Sequence, residues 1–188
     1  MTKLVVRARQ FKMPRKTNDN YPTPHSLVEK LVEKYIDAVG IPDHVWEPCV
    51  GDGRIPRKLL KCGVAVSQTD IQLGQDFFAF KKAIAPVIIT NPPFKHIRPF
   101  IDHAFDIGVQ SMALICGERL WACKKGREQF ERHKPHIFAM MDWREDYLGK
   151  GGAPDRSLAV SIWRTPCAAD SSFQIWSNKY LPANTNPS

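Results

Sequence analysis

The chain has 188 residues, 43% of them hydrophobic, a length and apolar content that suit one domain with a buried core. No apolar run approaches the ~20 residues needed to span a bilayer, and the five cysteines show no C-x-x-C pairing, which argues against a membrane protein, a disulfide scaffold or a zinc site. The formal net charge of +8 points instead to a polyanionic partner, with nucleic acid the natural candidate.

Residues 1–20 form a basic arm, in which Lys3, Arg7, Arg9, Lys12, Arg15 and Lys16 all precede the first acid, Asp19. The arm has no apolar signal core and no small-residue cleavage site, so a cytoplasmic location is expected. Residues 21–176 are read as one domain, and 177–188 as a loose tail. Leu27, Val28, Leu31, Val32, Tyr35, Ile36 and Val39 recur at helical spacing, with Gly40 and Pro42 closing the run. Thr23 stands where an N-cap is expected, and Pro24 where a first helical residue is often proline.

A short strand at 44–46 leads into EPCVGDG at 47–53. A helix is expected over 56–62 and a second strand over 64–69, with Asp70 at its carboxyl end. Residues 75–82 read as a turn or two of helix. The apolar strand 87–90 runs into TNPPF, where two prolines end the ladder and hold Asn91 and Phe94 in fixed directions. A helix over 97–107, a strand over 111–116 and a polar, basic helix over 118–133 follow. Strands are expected at 136–141 and 158–163, separated by a Gly-rich loop that carries Arg144, Lys150 and Arg156. This loop is long enough to embrace a substrate backbone or simply to be surface.

Strands alternating with helices predict a mostly parallel α/β sheet covered on both faces, and ligands in such sheets bind beyond the strands' carboxyl ends. EPCVGDG, TDIQ and TNPPF all fall at such ends. Gly51 and Gly53 permit close approach of backbone to a ligand, while the third glycine of a dinucleotide fingerprint is replaced by Pro56. The turn begins with an acid, Glu47, which suits a ligand bearing a cation there. Asp70 is placed to bind ribose hydroxyls, and Asp76 with Phe77 offers an acceptor and a ring for adenine. Together these describe a site for an adenosyl group with a positively charged extension.

These segments resemble the motifs of the class I S-adenosylmethionine-dependent methyltransferases. EPCVGDG is similar to their first motif, TDIQ to the acidic second and QDFF to the third. TNPPF resembles the catalytic motif of the N6-adenine DNA methyltransferases, and YPTP at 21–24 the segment that precedes their first motif. The resemblance implies a Rossmann-like fold and S-adenosyl-L-methionine as cofactor, with no metal. It places Glu47 and the Gly51–Gly53 turn at the methionine end, Asp70 at the ribose, and Asp76 and Phe77 at the adenine, with Pro48, Cys49 and Ile71 also in the cofactor site. Tyr21 and Thr23 would contact the cofactor carboxylate. Asn91, Pro92, Pro93 and Phe94 would form the catalytic segment, in which the Asn91 side-chain oxygen and the Pro92 carbonyl accept from an amino group while Phe94 stacks on the base. The activity implied is methylation of adenine N6 in DNA, with DNA favoured over RNA. The alternatives are an RNA base methyltransferase (adenine N6 or guanine N2), a protein glutamine methyltransferase and a non-catalytic nucleic-acid-binding subunit.

Overall fold

The computed structural model describes residues 22–143, 157–166 and 170–177. The basic arm, Tyr21, the three basic residues of the Gly-rich loop and the tail beyond Ser177 lie outside the described residues. Among the described residues, four α-helices and seven strands are formed: α1 His25–Val39, β1 His44–Glu47, α2 Arg54–Lys61, β2 Ala65–Gln68, β3 Val87–Thr90, α3 Ile97–Asp106, β4 Ser111–Gly117, α4 Lys124–Arg132, β5 Ile137–Met141, β6 Leu158–Trp163 and β7 Ser172–Trp176. Among the described residues no helix is long and apolar enough to cross a membrane.

All seven strands form one sheet in the order β2-β1-β3-β4-β6-β5-β7. Strands β1 and β2, β1 and β3, β3 and β4, and β5 and β7 pair in parallel. Only β6 runs against its neighbours, β4 on one side and β5 on the other. The mostly parallel sheet expected from the alternation is therefore present. Period-two alternation along the strands feeds two core layers. Val45, Val87, Ile89, Ala113 and Ile115 face α1 and α2, burying Leu27, Leu31, Tyr35, Ile55 and Leu59. Trp46, Ile88, Met112 and Leu114 face the opposite way, against Phe100, Ile101 and Ala104 of α3. Both faces are covered.

From β1 the chain moves outward to β2, then returns to place β3 on the other side of β1. The strand order thus reverses between β1 and β3, and it is beyond the carboxyl ends at such a point that sheets of this kind hold a ligand crevice. Glu47 and Thr90 are the last residues of those two strands.

Several local expectations are corrected. The N-cap of α1 is Pro24, with no side-chain cap bond, so Thr23 does not cap this helix. Its hydroxyl is used elsewhere, as described below. The basic helix starts at Lys124 and not at 118, because Cys123 is the capping residue and its Sγ accepts from the Gly126 N–H at 3.4 Å. Gly126 also lies so close to the preceding turn that an added Cβ would sit 2.5 Å from the Leu120 carbonyl oxygen. Residues 75–82 hold only a single 3-10 turn, Phe77–Ala79. Strand β7, at the sheet edge, has no counterpart in the sequence reading.

Candidate active site

Glu47 ends β1 with only 1% of its surface exposed. Its Oε1 accepts from the Cys49 N–H at 2.9 Å and from the Thr90 hydroxyl. Its Oε2 is buried with no hydrogen-bond partner among the described residues. Burial pushes the carboxyl up to about 8, against the two hydrogen bonds and with a further push from the charge of Asp70. The Cys49 thiol is likewise held far above its ordinary range by burial and then by Glu47, so it is a poor nucleophile. Beyond Pro48, which is buried, the turn needs left-handed backbone at Gly51 (φ 50°) and Gly53 (φ 77°).

Asp70 ties this turn to the end of β2. It is 7% exposed, and its Oδ2 accepts from the Gly51 N–H at 3.0 Å while Oδ1 accepts from the Gln72 N–H at 2.8 Å. A carboxylate offers about four lone-pair sites, so capacity remains for hydroxyl donors. Ile71 and Leu73 beside it are exposed apolar residues, at 68% and 67%. Asp76 is exposed and accepts from the Phe78 N–H at 3.0 Å, and it lies near enough to Cys49 to add to the upward push on the thiol. Phe77 differs from expectation. It is 4% exposed and stacks on Phe100 with ring centroids 4.0 Å apart, with Trp46 tilted against it at 5.3 Å. Its ring is committed to the core and not to a ligand, and Phe78 is the aromatic ring at that surface.

The catalytic candidate segment leaves β3 at Thr90, which is fully buried. The Asn91 Nδ2 donates to Thr23 Oγ1 at 2.9 Å, and the Thr23 carbonyl is held in turn by Arg54, whose NH1 donates at 2.9 Å. With its NH2 engaged, the Asn91 amide presents Oδ1 as its acceptor end. Pro92 is buried; Pro93 is exposed, and its carbonyl accepts from the His96 N–H at 2.9 Å. Phe94 is half-buried and packs against the core layer that carries α1.

Glu47, Cys49, Gly51, Asp70 and Asn91 are thus gathered at the carboxyl ends of β1, β2 and β3, with Thr23 bound to Asn91. Two contributors escaped the sequence reading. Thr90 links the Glu47 carboxyl directly to the strand that carries Asn91, and Arg54 anchors Thr23. A threonine before Asn-Pro-Pro is a weak signal on its own, and an arginine opening a helix carries none.

No protein-family model matches the chain, and no curated protein does. Solved structures do. A candidate class I S-adenosylmethionine-dependent methyltransferase of Listeria monocytogenes superposes with a TM-score of 0.60 at 10% identity, over 90% of this chain and 68% of that one. A candidate RNA methyltransferase of Pyrococcus horikoshii gives 0.59 at 18% identity, over 82% and 90%. The modification subunit of a candidate type I restriction enzyme of Vibrio vulnificus gives 0.55 at 11% identity, over 87% and 48%. At these identities the likeness establishes the fold, which is that of the class I methyltransferases.

Proposed function

We propose that this chain is an S-adenosylmethionine-dependent methyltransferase that modifies the N6 amino group of adenine in DNA. The observation that carries the reading is the fixed Asn91 amide. Tied through its nitrogen to Thr23, it offers its oxygen beside the proline-stiffened backbone at the point where the strand order reverses between β1 and β3. An exocyclic amino group is a poor nucleophile because its lone pair is delocalised into the base. Asn91 Oδ1 and the Pro92 carbonyl, accepting from its hydrogens, would interact most strongly as positive charge develops on the nitrogen. That is stabilisation of the transition state by preorganised dipoles.

The residues fit the cofactor. The buried, unpartnered Glu47 Oε2 is suited to an ammonium group, which would supply the charge partner that keeps the carboxyl ionised. Asp70 would accept from ribose hydroxyls, with Ile71 offering apolar contact to the adenine. Bound S-adenosylmethionine would supply the methyl group on an electrophilic sulfonium. The target base must be flipped out or already single-stranded to reach the crevice, where Phe94 would hold its plane.

The +8 charge supports nucleic acid over protein as substrate. The likeness of TNPPF to the motif of N6-adenine DNA methyltransferases supports DNA. A second reading, an RNA base methyltransferase, is favoured by coverage: the chain spans 90% of the RNA methyltransferase and about half of the restriction modification subunit. Labelled methyl transfer to unmethylated DNA, RNA and protein separates these readings, with Asn91→Ala as control. Label on DNA that disappears in Asn91→Ala is the expected result. Label confined to RNA replaces the first reading with the second, and S-adenosylmethionine failing to bind removes both.

A further inference from the structure

We infer that the turn and helix start following β4, together with the residues just after Pro93, form the docking surface for the substrate's sugar-phosphate backbone. This inference rests on the nucleic-acid reading above and names which part of the molecule holds the strand outside the crevice.

Strands β3 and β4 are parallel neighbours, with Thr90 opposite Leu114, so Gly117 at the end of β4 emerges on the same rim as Asn91. The rim is basic. Lys95 and His96 are exposed directly after Asn91-Pro92-Pro93-Phe94, and Arg119, Lys124, Lys125 and Arg127 are exposed on the segment that follows β4. An open depression of about 560 Å³, lined by Trp121, Ala122, Cys123, Lys124 and Arg127, lies within that segment. Its mixture of apolar floor and cationic edge suits a sugar with its flanking phosphates.

The two parts of the rim are locked together. Arg98, in the first turn of α3, donates through NH2 to the Leu120 carbonyl and to Cys123 Sγ at 3.3 Å. Its own carbonyl accepts from Gln129 Nε2 at 2.8 Å. The Arg98 NH1 is buried with no acceptor among the described residues, so its charge adds to the rim without a carboxylate beside it.

The lysines of this rim differ from those of α1 and from Lys58 in having no acidic partner among the described residues. On α1 and α2, Lys30 lies 3.5 Å from Glu33, Lys34 3.2 Å from Asp37 and Lys58 3.9 Å from Glu29. On the rim, Arg119 and Arg127 pair with Glu118 and Glu131 at 3.7 Å, whereas Lys95, Lys124 and Lys125 have no carboxylate within ion-pair distance among the described residues. Unpaired cations held on a rigid scaffold favour a polyanion, because phosphate contacts release condensed counterions.

The test is anisotropy of a labelled, mixed-sequence single-stranded DNA and the matching RNA, titrated with the full chain between about 50 and 200 mM salt. The triple variant Lys124→Ala, Lys125→Ala, Arg127→Ala is compared with wild type and with Lys30→Ala, Lys34→Ala, Lys58→Ala. S-adenosylhomocysteine affinity is measured on the same samples. The rim variant should bind the strand roughly tenfold or more weakly, with a log–log salt slope shallower by about 2, since each lost phosphate contact on a single strand removes about 0.7. It should keep its S-adenosylhomocysteine affinity, and the α1/α2 variant should match wild type. Equal loss in both variants, or an unchanged slope in the rim variant, overturns the assignment, as does a wild-type chain that binds neither strand. Rim-dependent strand binding without S-adenosylhomocysteine binding would uphold the surface while removing the methyltransferase reading.

Discussion

Burial of Glu47 makes a prediction about stability that does not depend on knowing the substrate. In the folded, ligand-free chain its carboxyl is raised from 4.5 to about 8. Between those values the unfolded chain has lost this proton while the native chain still holds it. Stability from this group is therefore fully present below about pH 4.5 and is lost as pH rises to about 8. Each tenfold change in proton affinity is worth about 1.4 kcal/mol, so the whole loss is on the order of 5 kcal/mol, at about 1.4 kcal/mol per pH unit across the window. Glu47→Gln keeps an oxygen for the Cys49 N–H and the Thr90 hydroxyl but cannot ionise. Placing an unpartnered amide nitrogen in the pocket shifts the variant by a pH-independent ~1–3 kcal/mol and leaves the slope untouched. Urea unfolding followed by tryptophan fluorescence at steps across this window, for both proteins, gives the comparison. The difference in unfolding free energy should move in favour of Glu47→Gln as pH rises. Saturating S-adenosylhomocysteine, whose ammonium can pair with the carboxylate, should flatten the wild-type profile. Parallel pH profiles for the two proteins without ligand would refute the claim that Glu47 is buried without a charge partner.

The Thr23–Asn91 contact separates positioning from cofactor binding: Thr23→Val should lower kcat roughly tenfold through loss of Asn91 orientation, with KM for S-adenosylmethionine unchanged and Thr23→Ser restoring activity. A rise in that KM at constant kcat would instead return Thr23 to the cofactor carboxylate. Phe77→Ala should cost about 3–5 kcal/mol in denaturant unfolding, as for a buried ring, and Phe78→Ala less than about 1 kcal/mol; the reverse order would contradict the core placement of Phe77. Gly126→Ala should destabilise by roughly 1–3 kcal/mol despite alanine's higher helix propensity, because the new Cβ would meet the Leu120 carbonyl; a stabilised variant would show that this turn is free to shift.

Much of the fold was legible because its signals were periodic. The α1 stripe from Leu27 to Val39 and the apolar runs of β3 and β4 mark elements that are buried along one face or both. The reversal of β6 was not legible. Leu158 to Trp163 is buried throughout, and a strand covered on both faces carries no alternation that reveals its direction. Strand β7 was missed because Phe173 and Ile175, although alternating, lie exposed on an edge beside a polar tail. The start of α4 was read too early because the mixture of Glu118 and Arg119 with Leu120, Trp121 and Ala122 fits an amphipathic helix, whereas its position is set by the Cys123 cap and the packing of Gly126.

The candidate site was legible as three segments at strand ends, since glycine turns, strand-end acids and a double proline are each local features. What joins the segments was not. The Thr90–Glu47 and Thr23–Asn91 bonds span 43 and 68 positions, and no local pattern announces them. Two adjacent rings, Phe77 and Phe78, could not be sorted into core and surface before the 3-10 turn fixed their directions.

The most direct test of the central claim is the identity of the modified nucleoside. DNA incubated with the chain and methyl-deuterated S-adenosylmethionine would be digested to nucleosides and analysed by mass spectrometry, alongside Asn91→Ala. Deuterated N6-methyldeoxyadenosine from the wild type, and none from the variant, is the predicted result. Label on a different atom or base, or equal label from Asn91→Ala, would contradict the account.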